Sequence, residues 1–215
     1  EVYEGKIKLQ NSEMKALQAQ INPHFLYNSL SIINWKALEA GEDEISQVTL
    51  ALSTYYRTSL NRGETMTTVE NEISNIRAYL KIQLVMHDDS FAVKEEIDQE
   101  ISGYEIPKLI LQPLVENAID HGLDMSENEE KCLYVGAAKD GDFLIFTVRD
   151  NGVGMEQEKA DEILTYQSSG YGIRNVCERI QVLYGKAGTM QVTSSPGQGT
   201  EVKIRIPKKA GKKTQ

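Results

Sequence analysis

The chain has 215 residues, of which 40% are hydrophobic and 26% charged, an ordinary composition for a soluble globular protein with room for two modest domains. Its formal net charge of -9 argues against a general nucleic-acid binder, because such a protein needs a basic face. Cys132 and Cys177 are too few for a disulfide framework, and no CxxC spacing indicates a metal site. No apolar run is long enough to span a bilayer, but the chain opens with Glu1 rather than Met, which fits a piece of a longer protein.

The first part of the chain is predicted to be helical from about residue 6 to residue 86, because its apolar side chains recur at helical spacing. Ile7, Met14 and Ile21 fall seven residues apart, which indicates a short coiled-coil-like seam. Pro23 then bends the chain, and the segment after it is apolar over much of its circumference. Such a helix is predicted to be buried by several neighbours, as in a helical bundle.

Two breaks divide this helical part into three helices. Residues 41–43 form a predicted turn, and residues 61–63 end the second helix. Thr67, followed by Glu70, is a capping-box signature that starts the third amphipathic helix.

The second part of the chain mixes strand and helix periodicity. Alternating apolar residues predict strands, and Asp140-Gly141 between two of them is a hairpin signal. The predicted elements are a strand through Phe91, Val93 and Ile97, a helix from about Leu109 to His121, a hairpin of residues 133–137 with 144–148, a helix from Tyr171 to Tyr184, and a last hairpin through Val192 and residues 202–206.

The fold class is therefore predicted as α+β, with two domains and a boundary near residue 87. Residues 1–87 are the predicted helical region, and residues 88–207 are the predicted mixed domain. Residues 208–215 form a basic tail.

Four short motifs in the mixed domain contain polar residues or glycines of the kinds found in catalytic and ligand-binding sites. Glycine pairs alone are weak signals, since they are common in turns. Gly170 and Gly172 have a sharper interpretation, because glycines before a helix N-terminus present free N–H donors to phosphate. The chain has neither the GK[ST] of a P-loop there nor a GxGxxG fingerprint. The motifs in chain order are LQPLVENAIDHG with Glu116 and Asn117, RDNGVGM with Asp150, SSGYGIRNV, and SSPGQGT.

In this combination and order, the motifs resemble the Bergerat ATP-binding fold of gyrase, MutL and the histidine kinases. The resemblance implies an α/β sandwich that binds ATP with Mg²⁺. Asn117 matches the asparagine that holds Mg²⁺ between the triphosphate oxygens, and Asp150 matches the residue that accepts the adenine amino proton. Gly152 and Gly154 match the glycines that adjoin this aspartate.

The remaining matches lie on the phosphate side and near the end of the domain. Gly170 and Gly172, with Ile173 beside them, match the phosphate-side glycines that follow the mobile lid of the family. Gly199 and Thr200 match its last motif, near the adenine.

The segment QINPHFLYNSL places His24 in a polar stripe, with Gln20, Asn28 and Ser31 as its neighbours on a helical wheel. This segment resembles the phosphoacceptor region of LytS/YesM-type sensor histidine kinases, and the resemblance extends over about residues 15–207. A neutral imidazole carries a lone pair that can attack a γ-phosphoryl group, which makes His24 the predicted phosphoacceptor and Asn28 a candidate orienting residue. The alternative is a histidine packed in the bundle and hydrogen-bonded to Gln20 or Asn28.

Two positions depart from the family patterns. Many histidine kinases carry an acidic base directly after the acceptor histidine, where this chain has Phe25. Glu116 is therefore a candidate base. Its alternative role is that of a metal-shell carboxylate or a surface carboxylate on the helix. Gyrase-like ATPases carry a water-activating glutamate four residues before the motif asparagine, where this chain has Pro113. That departure argues against efficient ATP hydrolysis. His121, four residues after Asn117, is a candidate contact to phosphate or a helix cap.

The resemblance implies the cytoplasmic kinase core of a membrane sensor histidine kinase. Helices from about residue 6 to residue 61 would form a four-helix bundle in a homodimer, and the ATP-binding domain would phosphorylate His24. The phosphoryl group would then pass to an aspartate on the receiver domain of a response regulator. The alternatives are a non-catalytic nucleotide-binding scaffold and a Bergerat-fold serine kinase of the anti-sigma-factor type, and the helical His24 segment argues against the second.

Overall fold

The described part of the chain contains a helical hairpin followed by helices packed on one main sheet. The computed structural model describes residues 22–60, 64–164 and 171–209. The helices of these residues are α1 (Pro23–Ala40), α2 (Asp43–Ser59), α3 (Val69–Met86), α4 (Gln112–Asn117), α5 (Gln157–Ile163) and α6 (Tyr171–Tyr184). The strands are β1 (Met66–Thr68), β2 (Ala92–Ile97), β3 (Glu105–Pro107), β4 (Cys132–Asp140), β5 (Phe143–Asp150), β6 (Thr189–Ser195) and β7 (Gly199–Pro207).

Helix α1 begins at Pro23 because the local sequence supplies both a cap and a compatible first residue. The side-chain oxygen of Asn22 accepts hydrogen bonds from the backbone N–H groups of His24 and Phe25. Proline suits the first position of a helix, since its missing N–H would have no helical partner there. The helix predicted before Pro23 and its coiled-coil seam lie outside the described residues.

Helix α3 begins one residue later than the sequence predicted. Thr68 is the N-cap, and its side chain accepts the N–H of Asn71. The predicted capping box of Thr67 with Glu70 is therefore wrong by one position. Strand β1 pairs with the distant strand β3 just before this cap, and that pairing holds Thr67 in an extended conformation. A pairing between segments this far apart cannot be predicted from a local pattern in the sequence.

The main sheet has five strands in the order β2-β4-β5-β7-β6. Strand β2 runs parallel to β4, and the other neighbouring pairs are antiparallel. Both predicted hairpins are confirmed, as β4–β5 and β6–β7. Leu144, Phe146 and Val148 of β5 are buried on one face of the sheet. Helices cover this face, and the alternate residues of the strands are more exposed.

The helix predicted from about Leu109 to His121 has a different form. Leu109 has a φ of 55°, which a right-handed helix does not contain, and α4 begins only at Gln112. After Asn117 the chain continues as a wider π-helical turn (Ala118–Leu123). Helix α5 was not predicted, because two helical turns give too short a periodic signal.

One hydrophobic core joins α3, α4 and α6 to the covered face of the sheet. Val69, Ile73, Ile76 and Leu80 of α3 belong to this core, although α3 precedes the predicted boundary near residue 87. The buried apolar residues of α1 and α2 do not belong to it. Helix α3 therefore packs with the sheet while it also contacts α2.

The carboxylate of Glu72 ties α3 to the beginning of α4. Glu72 is only 2% exposed, and its two oxygens accept the N–H groups of Leu109, Ile110 and Leu111 at 2.7 to 3.0 Å. Burial raises the pKa of Glu72, and the three N–H donors oppose that shift. These donors lie where a helix begins and lacks internal partners, so Glu72 fixes the start of α4.

We expect Glu72→Gln to lower the free energy of unfolding by about 1–3 kcal/mol. Glutamine keeps one acceptor oxygen, but its NH₂ group would face the N–H of Leu109 and leave a buried donor unpaired. Urea denaturation followed by circular dichroism measures the change. The control is Glu70→Gln, an exposed glutamate in the first turn of the same helix, with an expected change below about 0.5 kcal/mol. Equal effects of the two substitutions would contradict the anchoring role.

Candidate functional site

A cavity of about 430 Å³ lies between the covered face of the sheet and the helices α4, α5 and α6. This volume is in the range of sites that hold nucleotide-sized ligands. The cavity brings together residues that are far apart in the sequence. Of the residues selected from the sequence, those that line it are Asn117, His121, Asp150, Gly154, Ile173 and Thr200.

Asp150 ends strand β5 and places a carboxylate in the wall of the cavity. The residue is 5% exposed, and its Oδ1 accepts the N–H of Gly152 at 2.9 Å. Burial raises the pKa of Asp150, whereas hydrogen bonds from the backbone N–H groups of Gly152 and Thr200 oppose that shift. Backbone donors rather than a cation hold this carboxylate, so it can still accept a hydrogen bond from a ligand amino group.

Two glycines let the chain close tightly around Asp150. A Cβ atom on Gly152 would lie 2.1 Å from the carbonyl oxygen of Gly122. Gly199 has a φ of 85°, and its Cβ would lie 2.1 Å from the carbonyl oxygen of Asp150. Neither position can hold a side chain without moving the backbone. Gly152 and Gly199 therefore act behind the cavity wall rather than in it.

Ser194 secures the same corner of the cavity, although the sequence did not single it out. Its Oγ accepts the N–H of Met155 at 2.9 Å and donates to the carbonyl oxygen of Gly199 at 3.0 Å. The same atom lies 2.9 Å from Oγ1 of Thr200. Ser194 thus fixes Thr200 relative to the loop after β5. A single buried serine in a strand has no distinctive sequence pattern.

Several residues that line the cavity were not selected as site residues from the sequence, and three of them are Lys159, Ile163 and Gly122. Lys159 and Ile163 lie on α5, and the spacing of Ala160 and Ile163 was the one apolar signal that this helix offered. Gly122 lies in the π-helical turn, and a side chain there would meet Oδ1 of Asp150 at 2.6 Å. Gly122 belongs to a motif that the sequence shows, but its contact with Asp150 is seen only in the fold.

Asn117, the last residue of α4, also lines the cavity. Its amide nitrogen Nδ2 donates to the carbonyl oxygen of Pro113 at 2.5 Å, so the oxygen Oδ1 is the atom that can ligate a cation. The beginning of α6 lies nearby, since a Cβ on Gly172 would be 3.3 Å from Nδ2 of Asn117. Gly170 lies outside the described residues.

The donor set around Asn117 suits Mg²⁺ held mainly by a bound ligand. The described residues contain no group of three or more His, Cys, Asp or Glu side chains that could hold a metal by themselves. Mg²⁺ commonly takes few protein ligands and completes its shell with phosphate oxygens and water. The single amide oxygen of Asn117 fits that mode of binding.

Glu116 points away from the cavity, although it is adjacent to Asn117. Its Oε1 accepts a hydrogen bond from Nε2 of Gln112 at 2.7 Å, and the same nitrogen donates to the hydroxyl of Tyr55 at 2.6 Å. Successive residues on a helix are about 100° apart, so Glu116 faces the side of α2 while Asn117 faces the cavity.

His24 is exposed in the first turn of α1 and does not line the cavity. The amide nitrogen of Asn28 lies 3.3 Å from Nδ1 of His24, as the predicted polar stripe requires. Ser31 is exposed on the same helix, and Gln20 lies outside the described residues. Of the two ring nitrogens of His24, Nδ1 is therefore the one that a neighbour engages.

Comparison with known proteins identifies the class to which this arrangement belongs. Residues 12–91 match the family model described as histidine kinase, and residues 105–210 match that of the histidine kinase-, DNA gyrase B- and HSP90-like ATPases. The chain belongs to the histidine kinase family. The second match agrees with a cavity built around Asp150 and Asn117.

Within this family the chain is similar to sensor kinases of the LytS/YesM type. It is 34% identical over 204 residues to the sensor histidine kinase YesM of Bacillus subtilis, covering 95% of this chain and 35% of that protein. It is 32% identical over 213 residues to the sensor protein LytS of Bacillus anthracis, covering 96% and 36%. The chain thus spans about a third of the length of these relatives. Within residues 22–60, 64–164 and 171–209, no helix is long and apolar enough to cross a membrane.

A solved structure supports the predicted fold class. The histidine kinase domain of the Erythrobacter litoralis blue-light activated histidine kinase superposes with a TM-score of 0.53 at 18% identity, covering 92% of this chain and 94% of that domain. The α+β class, with an N-terminal helical part and a Bergerat-type sandwich, is confirmed.

We expect the affinity for ADP to fall as the pH is lowered through the raised pKa of Asp150. An ionised carboxylate at this position would accept the amino proton of a bound adenine, and protonation would remove that contact. A raised pKa places the expected loss of affinity at a higher pH than for an ordinary aspartate. Calorimetric titration at a series of pH values measures the effect. Asp150→Asn should bind about ten-fold more weakly or worse near neutral pH and lose this part of the pH dependence.

The matched control is Asp142→Asn, because the side chain of Asp142 is 86% exposed in the β4–β5 turn. Comparing the two variants at each pH cancels the titration of the ligand's own phosphate groups. Wild-type affinity in Asp150→Asn would refute the site.

Proposed function

We propose that the chain is the kinase core of a sensor histidine kinase, which transfers the γ-phosphoryl group of ATP to His24 and then to an aspartate on a response-regulator receiver domain. The observation that carries this proposal is the combination of two features in one chain. A cavity presents Asp150 and Asn117, and a helical hairpin exposes a histidine in its first turn. Membership of the histidine kinase family supports kinase activity in general.

The cavity residues divide between the two ends of the nucleotide in this proposal. Asp150 accepts the adenine amino proton, and Gly154 and Thr200 belong to the cavity wall. Gly152 and Gly199 allow the close backbone packing behind that wall. At the phosphate end the donors are Asn117, His121, Gly170, Gly172 and Ile173, where Asn117 ligates Mg²⁺ through Oδ1 and Ile173 supplies backbone near the start of α6. Bound Mg²⁺ neutralises negative charge on the phosphate oxygens.

His24 is the nucleophile in this proposal. Asn28 contacts Nδ1 and orients the ring. Attack by Nε2 on the γ-phosphorus uses the tautomer that carries its proton on Nδ1, so the Asn28 amide must turn its Oδ1 rather than its Nδ2 towards Nδ1. A P–N bond forms, the bond to the β–γ bridging oxygen breaks, and ADP leaves. Glu116 takes up the proton that the imidazole loses.

A homodimer is proposed because a single hairpin leaves a large apolar surface uncovered. Of the twelve large apolar side chains that are exposed in the described residues, seven lie on α1 and α2. Two hairpins could bury this surface in a four-helix bundle. The seven residues are Phe25, Ile32, Ile33, Trp35, Leu38, Ile45 and Leu50.

We expect light scattering to give twice the mass of the chain at micromolar concentration. Ile33→Asp, which puts a charge on the exposed face of α1, should shift the protein towards the monomer. Val182→Asp, on the exposed side of α6, is the matched control and should stay dimeric. A monomeric wild-type protein, or an unchanged mass in Ile33→Asp, would contradict this interface.

The wider setting of the core also belongs to the proposal. Residues 1–87 would form the dimerisation and phosphotransfer region, and residues 88–207 the ATP-binding domain. The relatives YesM and LytS carry the word sensor in their names, which supports a sensor role for the protein. The proposed setting of the chain is the cytoplasmic portion of a membrane sensor. The net charge of -9 argues against nucleic acid as a direct partner.

We expect His24→Gln to abolish self-labelling by γ-labelled ATP while the affinity for nucleotide stays close to that of the wild type. Glutamine removes the nucleophilic nitrogen, and the cavity lies on other elements of the chain. His87→Gln is the control, because His87 lies at the end of α3 and bonds to Gln83 and Asp124 rather than to the cavity. Label that persists on His24→Gln would end the phosphoacceptor assignment.

A further inference from the structure

Two polar side chains, one on α3 and one just before α4, hydrogen-bond to the end of helix α2. Nδ2 of Asn75 donates to the hydroxyl oxygens of Thr58 and Ser59 at 2.7 and 2.8 Å. Nζ of Lys108 donates to the carbonyl oxygen of Ser59 at 2.8 Å. Asn75 and Lys108 are buried. The end of the hairpin is thus attached to α3 and to the segment that leads into α4.

This attachment lies at the same end of the hairpin as His24. The bond of 2.7 Å between Ser46 and Asn34 fixes the register of the two antiparallel helices. His24 lies ten residues before Asn34 and is therefore level with Tyr56, ten residues after Ser46. Tyr55 belongs to that same turn of α2.

Gln112 connects this turn of α2 to Glu116. Gln112 is 9% exposed, and its Nε2 uses both hydrogens, one to the hydroxyl of Tyr55 at 2.6 Å and one to Oε1 of Glu116 at 2.7 Å. Burial raises the pKa of Tyr55, so its hydroxyl stays neutral and available as an acceptor. Gln112 is also the first residue of α4, the short helix that carries Asn117.

We propose that Gln112 and Tyr55 are positioning residues that hold the carboxylate of Glu116 in the orientation required to take up the proton of His24 during its phosphorylation. This inference rests on the proposed function. In the step, a nitrogen lone pair of His24 forms the P–N bond, and the electron pair of the broken P–O bond leaves with ADP. The proton lost by the imidazolium passes to the Glu116 carboxylate.

A purely structural role of Gln112 has a different consequence. If Gln112 only anchored the beginning of α4, its loss would disturb Asn117, and nucleotide affinity would fall together with the rate. A positioning role instead predicts a slower transfer step at unchanged affinity. The two roles are therefore separated by measuring both quantities on the same variants.

The experiment compares Gln112→Met and Tyr55→Phe with wild-type protein, using the whole chain. Methionine keeps the length of glutamine without its donors, and phenylalanine removes only the hydroxyl. The single-turnover rate of His24 phosphorylation should fall by roughly 10- to 100-fold in Gln112→Met and by less in Tyr55→Phe, while the dissociation constant of ADP stays unchanged. Tyr56→Phe, the same change on the neighbouring ring 5.6 Å away, is the matched control and should keep the wild-type rate.

A double substitution tests whether the effect passes through Glu116. Glu116→Gln should slow the transfer by on the order of 10²-fold or more, and adding Gln112→Met should slow it no further. Three results would overturn this inference: rate effects of Glu116→Gln and Gln112→Met that multiply in the double variant, an unchanged rate in both Tyr55→Phe and Gln112→Met, or an unchanged rate in Glu116→Gln. In each case, wild-type protein that still takes up label would leave the proposed function standing. Wild-type protein that binds ADP but takes no label would overturn both.

Discussion

The arrangement of the site depends on one buried contact, the carboxylate of Glu72 beneath the three N–H groups that precede helix α4. A buried charge of this kind is tolerated only where several donors satisfy it. It therefore determines where α4 begins, and α4 is only six residues long. Fixing its first residue fixes the direction of every side chain on it.

Helix α4 then serves two regions at once. Asn117 faces the cavity, and Gln112 and Glu116 face α2. Asp150, which lines the cavity, accepts hydrogen bonds from backbone N–H groups as Glu72 does. Unlike Asp150, Glu72 is also stabilised by the nearby charge of Arg179. The carboxylate of Asp150 can therefore still accept a hydrogen bond from an amino group of a ligand, because a salt bridge would occupy the same lone pairs. The cavity and the hairpin are thus joined through α4, because Gln112 bonds to both Tyr55 of α2 and Glu116.

The sequence predicted most of the fold and much of the site, for reasons that particular residues make clear. Alternation in β4 and β5 and the Asp140-Gly141 pair are local signals, and they yielded the correct hairpin. The glycines near Asp150 were visible because close backbone approach admits no other residue. Long-range contacts were not predicted. Pairing of β1 with β3 moved the α3 cap to Thr68. The roles of Glu72, Gln112 and Ser194 each depend on at least one partner that is 37 or more residues away in the sequence.

The most direct test of the account concerns the chemical linkage formed with γ-labelled ATP. The protein is incubated with ATP and Mg²⁺, divided between acid and alkali, and digested for mass-spectrometric mapping. The account predicts a phosphoryl group that acid removes and alkali leaves intact, on the peptide that contains His24. An acid-stable phosphoryl group on a serine or threonine, or an unmodified protein under conditions where nucleotide is bound, would contradict it.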